Sequence, residues 1–279
     1  MRFDVSGDAR KSADSGWFWL ADLRIERDLG YQEDRQLVAG ASYFHSQQDD
    51  FRSLDVQALH FELGLRKRRN QGELHPKLVS DVVDLSRETY LRSAGFELTA
   101  QRMLSSRLEL RGRGRVVHED FDGIPETPAA SQRSGYRSDV ASALSFALAA
   151  SQRVELSAAV TRKSAKESHQ AYLGWELGVS HLWLVSGGSF VLSQLSAARD
   201  SYADDQAAIS RSRRRDFRSR ARLTLGTPLG SWLPAERLRA LRGLVVSLNG
   251  EVLLADSNLP NYEFRNRRIG VSVSQRFDF

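Results

Sequence analysis

Apolar and polar residues alternate with a period of two along most of this chain, whereas the period of an amphipathic helix is nearly absent. The last segment divides into two faces. One face is apolar apart from Gln275 and carries Ile269, Val271, Val273, Phe277 and Phe279. The other face is charged or small and carries Arg268, Gly270, Ser272, Ser274 and Arg276. About fourteen segments of this kind follow one another, which predicts an all-β protein.

The length of the alternations favours a membrane barrel over a soluble sandwich. Strands of soluble sheets usually span about 5–6 residues, whereas these alternations persist for about 10 or more, the length that crosses a bilayer at a tilt. Backbone that faces lipid must be fully paired, and a closed sheet achieves this without edges. We therefore predict a single transmembrane antiparallel β-barrel domain of about 14 strands over residues 1–279. A soluble β-protein is the alternative.

The connections between the predicted strands have the asymmetry of an outer-membrane barrel. With both chain termini in the periplasm, the long polar segments 119–135, 201–213 and 255–264 face the outside. The tight turns at 150–152 and 186–188 face the periplasm. Residues 227–241 break this rule, because they form a long periplasmic connection in which Pro234 predicts the start of a short helix.

Composition narrows the class of protein further. The 279 residues are 41% hydrophobic and 27% charged, and they contain no run of the ~18–20 apolar residues that a membrane-spanning helix needs. Cysteine is absent, which excludes disulfides, thiolate metal sites and cysteine nucleophiles. The first residues have no apolar stretch of the signal-peptide type, so we expect the signal peptide to be missing from this chain. The expected location is the bacterial outer membrane.

The net charge of +5 is carried mostly by arginine, and six arginines share the charged face of two segments. We expect these six to line the lumen, and they are Arg111, Arg113, Arg115, Arg218, Arg220 and Arg222. Their candidate partners are Glu62, Glu97, Glu109, Glu155, Glu176 and Glu251. Two interpretations follow: an ion-paired lattice that plugs the pore, which we favour, or an unpaired, anion-attracting channel.

Two further basic runs, at 66–69 and 211–215, lie near predicted strand ends. In a soluble protein such runs indicate nucleic-acid binding. At the rim of a barrel, guanidinium groups instead favour phosphates, so we expect outer-membrane lipids and lipopolysaccharide as partners, and no nucleic acid.

Candidate chemistry is sparse. The six histidines show no metal-ligand spacing, so we predict no metal site and no cofactor. His60 and Glu62 point inward on one strand, but no nucleophile or orienting group is evident beside them, and we predict no catalytic residue and no enzyme activity. His118, Glu119 and Asp120 form a weak candidate cation site, for which a solvated loop is the preferred interpretation.

The last hairpin resembles that of the surface lipoprotein assembly modifier (Slam) family. The residues that carry the resemblance run from Asp256 to Arg265, followed by Ile269-Gly270-Val271 and Arg276-Phe277. In that family a Ser-Asn-x-x-x-Tyr-x-Tyr loop joins the last two strands, and the corresponding positions here are Ser257, Asn258, Tyr262 and Phe264. The segment Arg213-Arg214-Arg215-Asp216 upstream is similar in kind.

The resemblance implies a barrel of roughly fourteen strands that helps lipoproteins reach the cell surface, with surface lipoproteins as cargo. The helical repeats that precede the barrel in this family are absent from the chain. Phe277 and Phe279 resemble the terminal signal read by the barrel assembly machinery, which makes that machinery an expected partner. Similar hairpins occur in exopolysaccharide exporters, so an anion-selective or exopolysaccharide-conducting pore is the alternative function.

Overall fold

The computed structural model describes residues 2–11, 17–32, 35–48, 55–125, 127–205, 210–231 and 244–278. Their regular structure is almost entirely strand. The strands are β1 (Arg2–Lys11), β2 (Trp17–Gln32), β3 (Arg35–Gln48), β4 (Val56–Arg69), β5 (Gly72–Leu85), β6 (Glu88–Met103), β7 (Leu108–Phe121), β8 (Gly135–Ala149), β9 (Gln152–Lys163), β10 (Tyr172–Leu184), β11 (Phe190–Tyr202), β12 (Arg215–Pro228), β13 (Leu244–Ser257) and β14 (Phe264–Asp278).

All strands are antiparallel and each pairs with its neighbours in sequence, so the prediction of an all-β antiparallel sheet is confirmed. Twelve strands, β3 to β14, form the part of the sheet whose side chains are described. The backbone of β1 and β2 continues the same sheet, and β1 also pairs with β14, which closes the strand order. A closed order leaves no strand edge to solvent or lipid.

The two faces of the sheet have opposite chemistry, as the alternation predicts. The outer face is apolar and exposed, with Ile269 78%, Val140 68% and Leu78 62% accessible. The inner face holds the buried polar groups, among them Glu62, His75, Ser93, Glu97, Asp139 and Lys163. A soluble domain buries its apolar residues, whereas this arrangement is typical of a barrel whose outer surface contacts lipid.

A small apolar layer lies on the inner wall where β3, β5 and β7 contribute the buried Val38, Val79 and Val117. Gly95 lies opposite both Val79 and Val117 in the register. A Cβ at this glycine would lie 2.1 Å from the Val116 carbonyl oxygen, so the layer can form only with a glycine at this position.

Connections at the two ends of the barrel differ in length. The long-loop end carries the β7–β8, β9–β10, β11–β12 and β13–β14 connections, with the 3-10 turns Ala130–Arg133, Ser168–Gln170 and Pro260–Tyr262, and also the two-residue turn at 86–87. The short-turn end comprises 70–71, 104–107, 150–151 and 185–189. The helix predicted near Pro234 lies outside the described residues. No helix in the described part of the chain is long and apolar enough to cross a membrane.

The alternation predicts a first strand over residues 1–7 and a fifth strand over 76–87, and the structure differs from both. The first strand does not end at Gly7 but continues to Lys11, because β2 and β14 both supply backbone partners on either side of the glycine. The fifth strand begins at Gly72 rather than at Pro76. Pro76 has no N–H to donate, yet β5 pairs with β4 on both sides of it, at Leu74 and Lys77.

Candidate functional site

The inner face of the barrel and the long-loop end hold the chemically distinctive side chains. The six arginines predicted to line the lumen all lie on the inward phase of β7 and β12. Their surroundings differ, because part of the inner wall is tied together by ion pairs and part is not.

Lys77 is the centre of the ion-paired part. Its Nζ lies 3.0 Å from Glu62 Oε2 on β4 and 3.0 Å from Glu97 Oε1 on β6. All three side chains are shielded, with exposures of 13% for Lys77, 7% for Glu62 and 11% for Glu97. The neighbouring strands β4, β5 and β6 thus each contribute one charged side chain to this cluster. The single lysine bridges two carboxylates that would repel each other without it.

A second network surrounds Asp81, which lies four residues after Lys77 on the same inward phase of β5. His60 Nδ1 lies 2.6 Å from Asp81 Oδ1, and Ser93 Oγ donates a 2.6 Å hydrogen bond to Asp81 Oδ2. Arg115 Nη2 donates to the same Oδ2 at 2.7 Å. The remaining ring nitrogen of His60 lies 3.8 Å from Glu62.

This network gives the inward pair His60 and Glu62 the orienting group that the sequence did not reveal, namely Asp81. It does not form a hydrolytic triad. In a triad the serine hydroxyl donates to histidine, whereas the Ser93 hydroxyl donates to the carboxylate of Asp81. The arrangement therefore holds β4, β5, β6 and β7 together rather than activating a nucleophile.

Further ion pairs continue around the wall. Arg111 contacts Glu109 at 3.2 Å and also Glu155 on β9. Near the long-loop end, Lys163 pairs with Glu119, Arg137 pairs with Asp139 at 3.1 Å, and Arg218 pairs with Asp200 at 2.6 Å. Of the six predicted luminal arginines, Arg111, Arg115 and Arg218 thus have carboxylate partners.

The other three, Arg113, Arg220 and Arg222, form no ion pair with any described residue. Glu176 and Glu251 are also without an ion pair in the part of the chain that the structure describes. Glu251 lies opposite Arg222 and Arg268 in the register, but no charged atoms of these residues come within 4.0 Å. Ion pairs therefore join most of the inner-face charges on β4 to β9, whereas several inner-face charges on β12 to β14 form none with the described residues.

The residues 118–120 do not form a cation site. All three lie within β7 rather than in a loop, so successive side chains point to opposite faces. The His118 ring packs edge-on against Tyr136, with ring centroids 4.9 Å apart, while Glu119 pairs with Lys163 inside. No cluster of three metal-ligating side chains occurs within the described ranges.

At the long-loop end, the predicted family hairpin is tied to the connection before it. Asn258 Oδ1 accepts a 2.7 Å hydrogen bond from the Arg215 backbone N–H, and its Nδ2 donates to the Arg213 carbonyl at 2.9 Å. Ser257 Oγ accepts a hydrogen bond from the Leu259 N–H at 3.1 Å, and Leu259 is buried. Asn258 therefore joins the β13–β14 connection to the arginine segment that precedes β12.

Arg214 fills the space between these two connections. Its guanidinium carbon lies 3.4 Å from the Tyr262 ring centroid and 4.5 Å from that of Tyr202, a double cation–π contact. Its Nε donates to Asp216 Oδ1 at 3.0 Å. Burial alone lowers the pKa of Arg214, but the hydrogen bond to Asp216 and the nearby negative groups outweigh it, and the net direction is upward.

The remaining predicted residues lie near the hairpin or at the end of the chain. Phe264 is the first residue of β14, is 49% exposed, and occupies the second tyrosine position of the loop pattern. Phe277 pairs with Phe3 across the β1–β14 seam. Phe279 lies outside the described residues.

Sequence reasoning missed Lys77, Asp81, Ser93 and Lys163. The signal for the first two was present, because Lys77, Val79 and Asp81 share one phase of β5. Their partners on β4, β6 and β7 depend on the register between strands, which the alternation alone does not give.

We expect Lys77→Met to destabilise the barrel by about 3–5 kcal/mol, because it leaves two buried carboxylates without their cation. The measurement is a urea titration of the barrel refolded in detergent. Arg68→Met is the matched control, since Arg68 is 61% exposed in its 3.1 Å pair with Glu73 and should cost less than about 1 kcal/mol.

Replacing the whole trio, as Glu62→Gln with Lys77→Met and Glu97→Gln, should recover much of the loss because no charge is left unpaired. Equal unfolding midpoints for the Lys77 and Arg68 variants would contradict a central role for Lys77.

Three solved structures resemble this chain over nearly its whole length. OccAB3 of Acinetobacter baumannii has a TM-score of 0.49 and 8% identity, over 100% of this chain and 98% of that one. A structure described as a bacterial polysaccharide outer membrane secretin has a TM-score of 0.49 and 9% identity, over 100% and 98%. OprD of Pseudomonas aeruginosa has a TM-score of 0.46 and 9% identity, over 99% and 94%. These values are too low to carry an argument about function.

Among curated proteins, none matches this chain significantly by sequence. The family model described as surface lipoprotein assembly modifier matches residues 27–277 of this chain. The match covers nearly the whole chain, including both the ion-paired wall and the hairpin held by Asn258. The chain therefore belongs to the surface lipoprotein assembly modifier family.

Proposed function

We propose that this chain is a bacterial outer-membrane β-barrel that helps lipoproteins reach the cell surface. The family match over residues 27–277 is the observation that carries the proposal. The exposed apolar outer face supports placement in a membrane, because such a surface is costly in water and favourable in lipid. The cargo is a surface lipoprotein, and the barrel carries out no catalysis.

The orientation follows from the connections. Long loops lie outside and short turns lie in the periplasm in barrels of this class, so the long-loop end faces the exterior. Five arginines on the outer face near this end form no ion pair with the described residues, and they are Arg162, Arg199, Arg215, Arg265 and Arg267. Guanidinium groups at that depth suit the phosphates of lipopolysaccharide.

Cargo does not pass along the barrel axis in this proposal. The Val38–Val79–Val117 layer and the Lys77 lattice occupy the inner wall of β3 to β7. The alternative route is the seam between β1 and β14, or the rim at the long-loop end. Among the described strands β1 is the shortest, at 10 residues, and it pairs with β14 only from Arg2 to Arg10. A short seam opens at a lower cost than a long one.

The barrel assembly machinery is the proposed partner in insertion. β14 ends in an alternating segment whose Phe277 lies at the seam, and the terminal Phe279 completes the alternation in the sequence.

A second candidate function is an anion-selective or exopolysaccharide-conducting pore. It is favoured by Arg113, Arg220 and Arg222, which lie on the inner face without an ion pair among the described residues. Cations that are not neutralised raise the local concentration of anions. Glu176 and Glu251 on the same face oppose this effect.

The topology predicts that a cysteine at Ser131 reacts with a membrane-impermeant maleimide on intact cells, whereas a cysteine at Ser151 does not. The chain has no cysteine of its own, so each label reports one position. Permeabilising the outer membrane should expose the second site and serves as the control. Labelling of Ser151→Cys on intact cells would reverse the orientation.

The route through the seam predicts that locking β1 to β14 blocks surface display. Ala9 lies opposite Val271 in the register, so Ala9→Cys with Val271→Cys should form a disulfide there. We expect the oxidised barrel to reduce lipoprotein on the surface of intact cells at least about fivefold, and a reductant to restore it. The matched control is Val179→Cys with Leu195→Cys, which joins two strands of one hairpin.

Normal lipoprotein display by a barrel whose β1–β14 seam is fully cross-linked would show that the cargo does not pass through the seam. A deletion strain that still displays all of its surface lipoproteins would remove the proposed function itself.

Conductance separates the two candidate functions. Under the primary proposal, the ion pairs on β4 to β9 narrow the lumen, so the purified barrel in planar bilayers should give little single-channel current. A pore would conduct steadily and select anions, and Arg113→Gln with Arg220→Gln and Arg222→Gln would abolish that selectivity. Arg162→Gln with Arg199→Gln and Arg267→Gln removes the same charge from the outer face and should leave the selectivity unchanged.

A further inference from the structure

A groove runs along the outer face of β4 to β8 at the short-turn end. Register aligns two rows of outward residues there. The row nearer the turns contains Arg69, Gly72, Arg102, Leu110 and Leu144. The next row contains Lys67, Leu74, Ala100, Gly112 and Ser142.

The groove is a hollow in the apolar outer surface. Its volume is about 510 Å³, and its floor is made of the small residues Ala100, Gly112 and Ser142. A Cβ built on Gly112 meets no heavy atom within 4 Å, and the same holds at Gly114 one step further along β7. Leu74 and Leu110 form the walls and are 42% and 41% exposed. The hollow is therefore shaped to take an apolar chain that lies along β7.

The end of the groove nearest the turns is basic. Lys67, Arg69 and Arg102 point outward around it, and none of them forms an ion pair with a described residue. The nearest acid, Glu73, is already engaged on the inner side by Arg66 at 3.3 Å and Arg68 at 3.1 Å. Three uncompensated cations beside an apolar channel match one ligand chemistry, an anionic headgroup attached to a hydrocarbon chain.

We propose that this groove binds one anionic phospholipid of the periplasmic leaflet. Lys67, Arg69 and Arg102 hold the phosphate, and an acyl chain lies over Ala100, Gly112 and Ser142. The inference rests on the membrane placement in the proposed function. It commits to a phospholipid rather than lipopolysaccharide because the short-turn end faces the periplasm in that placement. Phospholipid fills the periplasmic leaflet there, whereas the outward arginines of the long-loop end face the opposite leaflet.

The test uses the purified, delipidated barrel refolded in a neutral detergent. Phosphatidylglycerol or phosphatidylcholine is titrated in, and native mass spectrometry counts the lipid bound. We expect one phosphatidylglycerol to bind at least about tenfold more tightly than phosphatidylcholine. Lys67→Gln with Arg69→Gln and Arg102→Gln should abolish that preference, since the binding energy of a lipid phosphate comes mainly from nearby cations. Heat-dependent mobility on gels verifies that each variant is folded.

Two matched controls isolate the site. Arg162→Gln with Arg199→Gln and Arg265→Gln removes the same charge from the other end and should keep the preference. Gly112→Leu fills the groove without changing the charge, and it should weaken both lipids at least about fivefold. Gly250→Leu is its partner, because Gly250 also points outward on β13 and an added Cβ there meets nothing within 4 Å.

Several results would overturn the assignment. An equal loss in both triple variants would reduce the effect to net charge, and normal binding by Gly112→Leu would show that the groove takes no part. Lipopolysaccharide that competes equally at Lys67, Arg69 and Arg102 would replace phospholipid as the occupant, and a dimer lost in Gly112→Leu would make a second copy the occupant. Lipid binding is measured on the purified barrel, so its result is independent of the test for lipoprotein display in cells.

Discussion

Backbone hydrogen bonding within the sheet is the constraint on which the rest of this molecule depends. A strand that faces hydrocarbon has no water to satisfy its N–H and C=O groups, so every strand must find two neighbours. Closure between β1 and β14 meets that demand at the last pair. Closure also separates an inner face of the sheet from an outer face. Because side chains alternate along a strand, each residue then lies on one face or the other. The ion-paired lumen and the apolar outer face both follow from this division.

Charge inside the barrel takes the place of an apolar core. A soluble domain of this size holds its sheet together by burying hydrocarbon, but here hydrocarbon lies on the outside. Lys77 between Glu62 and Glu97, and Asp81 between His60 and Arg115, bind adjacent strands across the ladder instead. A thin layer of valines supplements them. Ion pairs join the strands from β4 to β9, whereas Arg220, Arg222 and Glu251 form none with the described residues.

Periodicity was sufficient to predict the strands because inside and outside differ so sharply in this fold. It failed where one residue overrides the pattern, as at Pro76, which ended the predicted strand although β5 continues through it to Gly72. The lumen was predicted as a set of arginines and glutamates, and these residues share the inward phase of their strands. Which charges meet depends on the register between strands. A shift of one residue exchanges the faces, and a shift of two exchanges the partners. Local sequence does not encode that shift, so the central roles of Lys77 and Asp81 emerged only from the fold.

The bridge from Asn258 to the segment around Arg214 has a consequence for how the last strands avoid slipping. Antiparallel strands can pair in several offsets that differ little in backbone energy, and a long polar connection does not choose among them. Asn258 contacts the backbone on both sides of Arg214, and Tyr262 stacks on the side chain between them. These contacts exist in a single offset of β13 and β14 relative to β12. The contacts of this loop therefore fix the alignment of the final hairpin relative to β12.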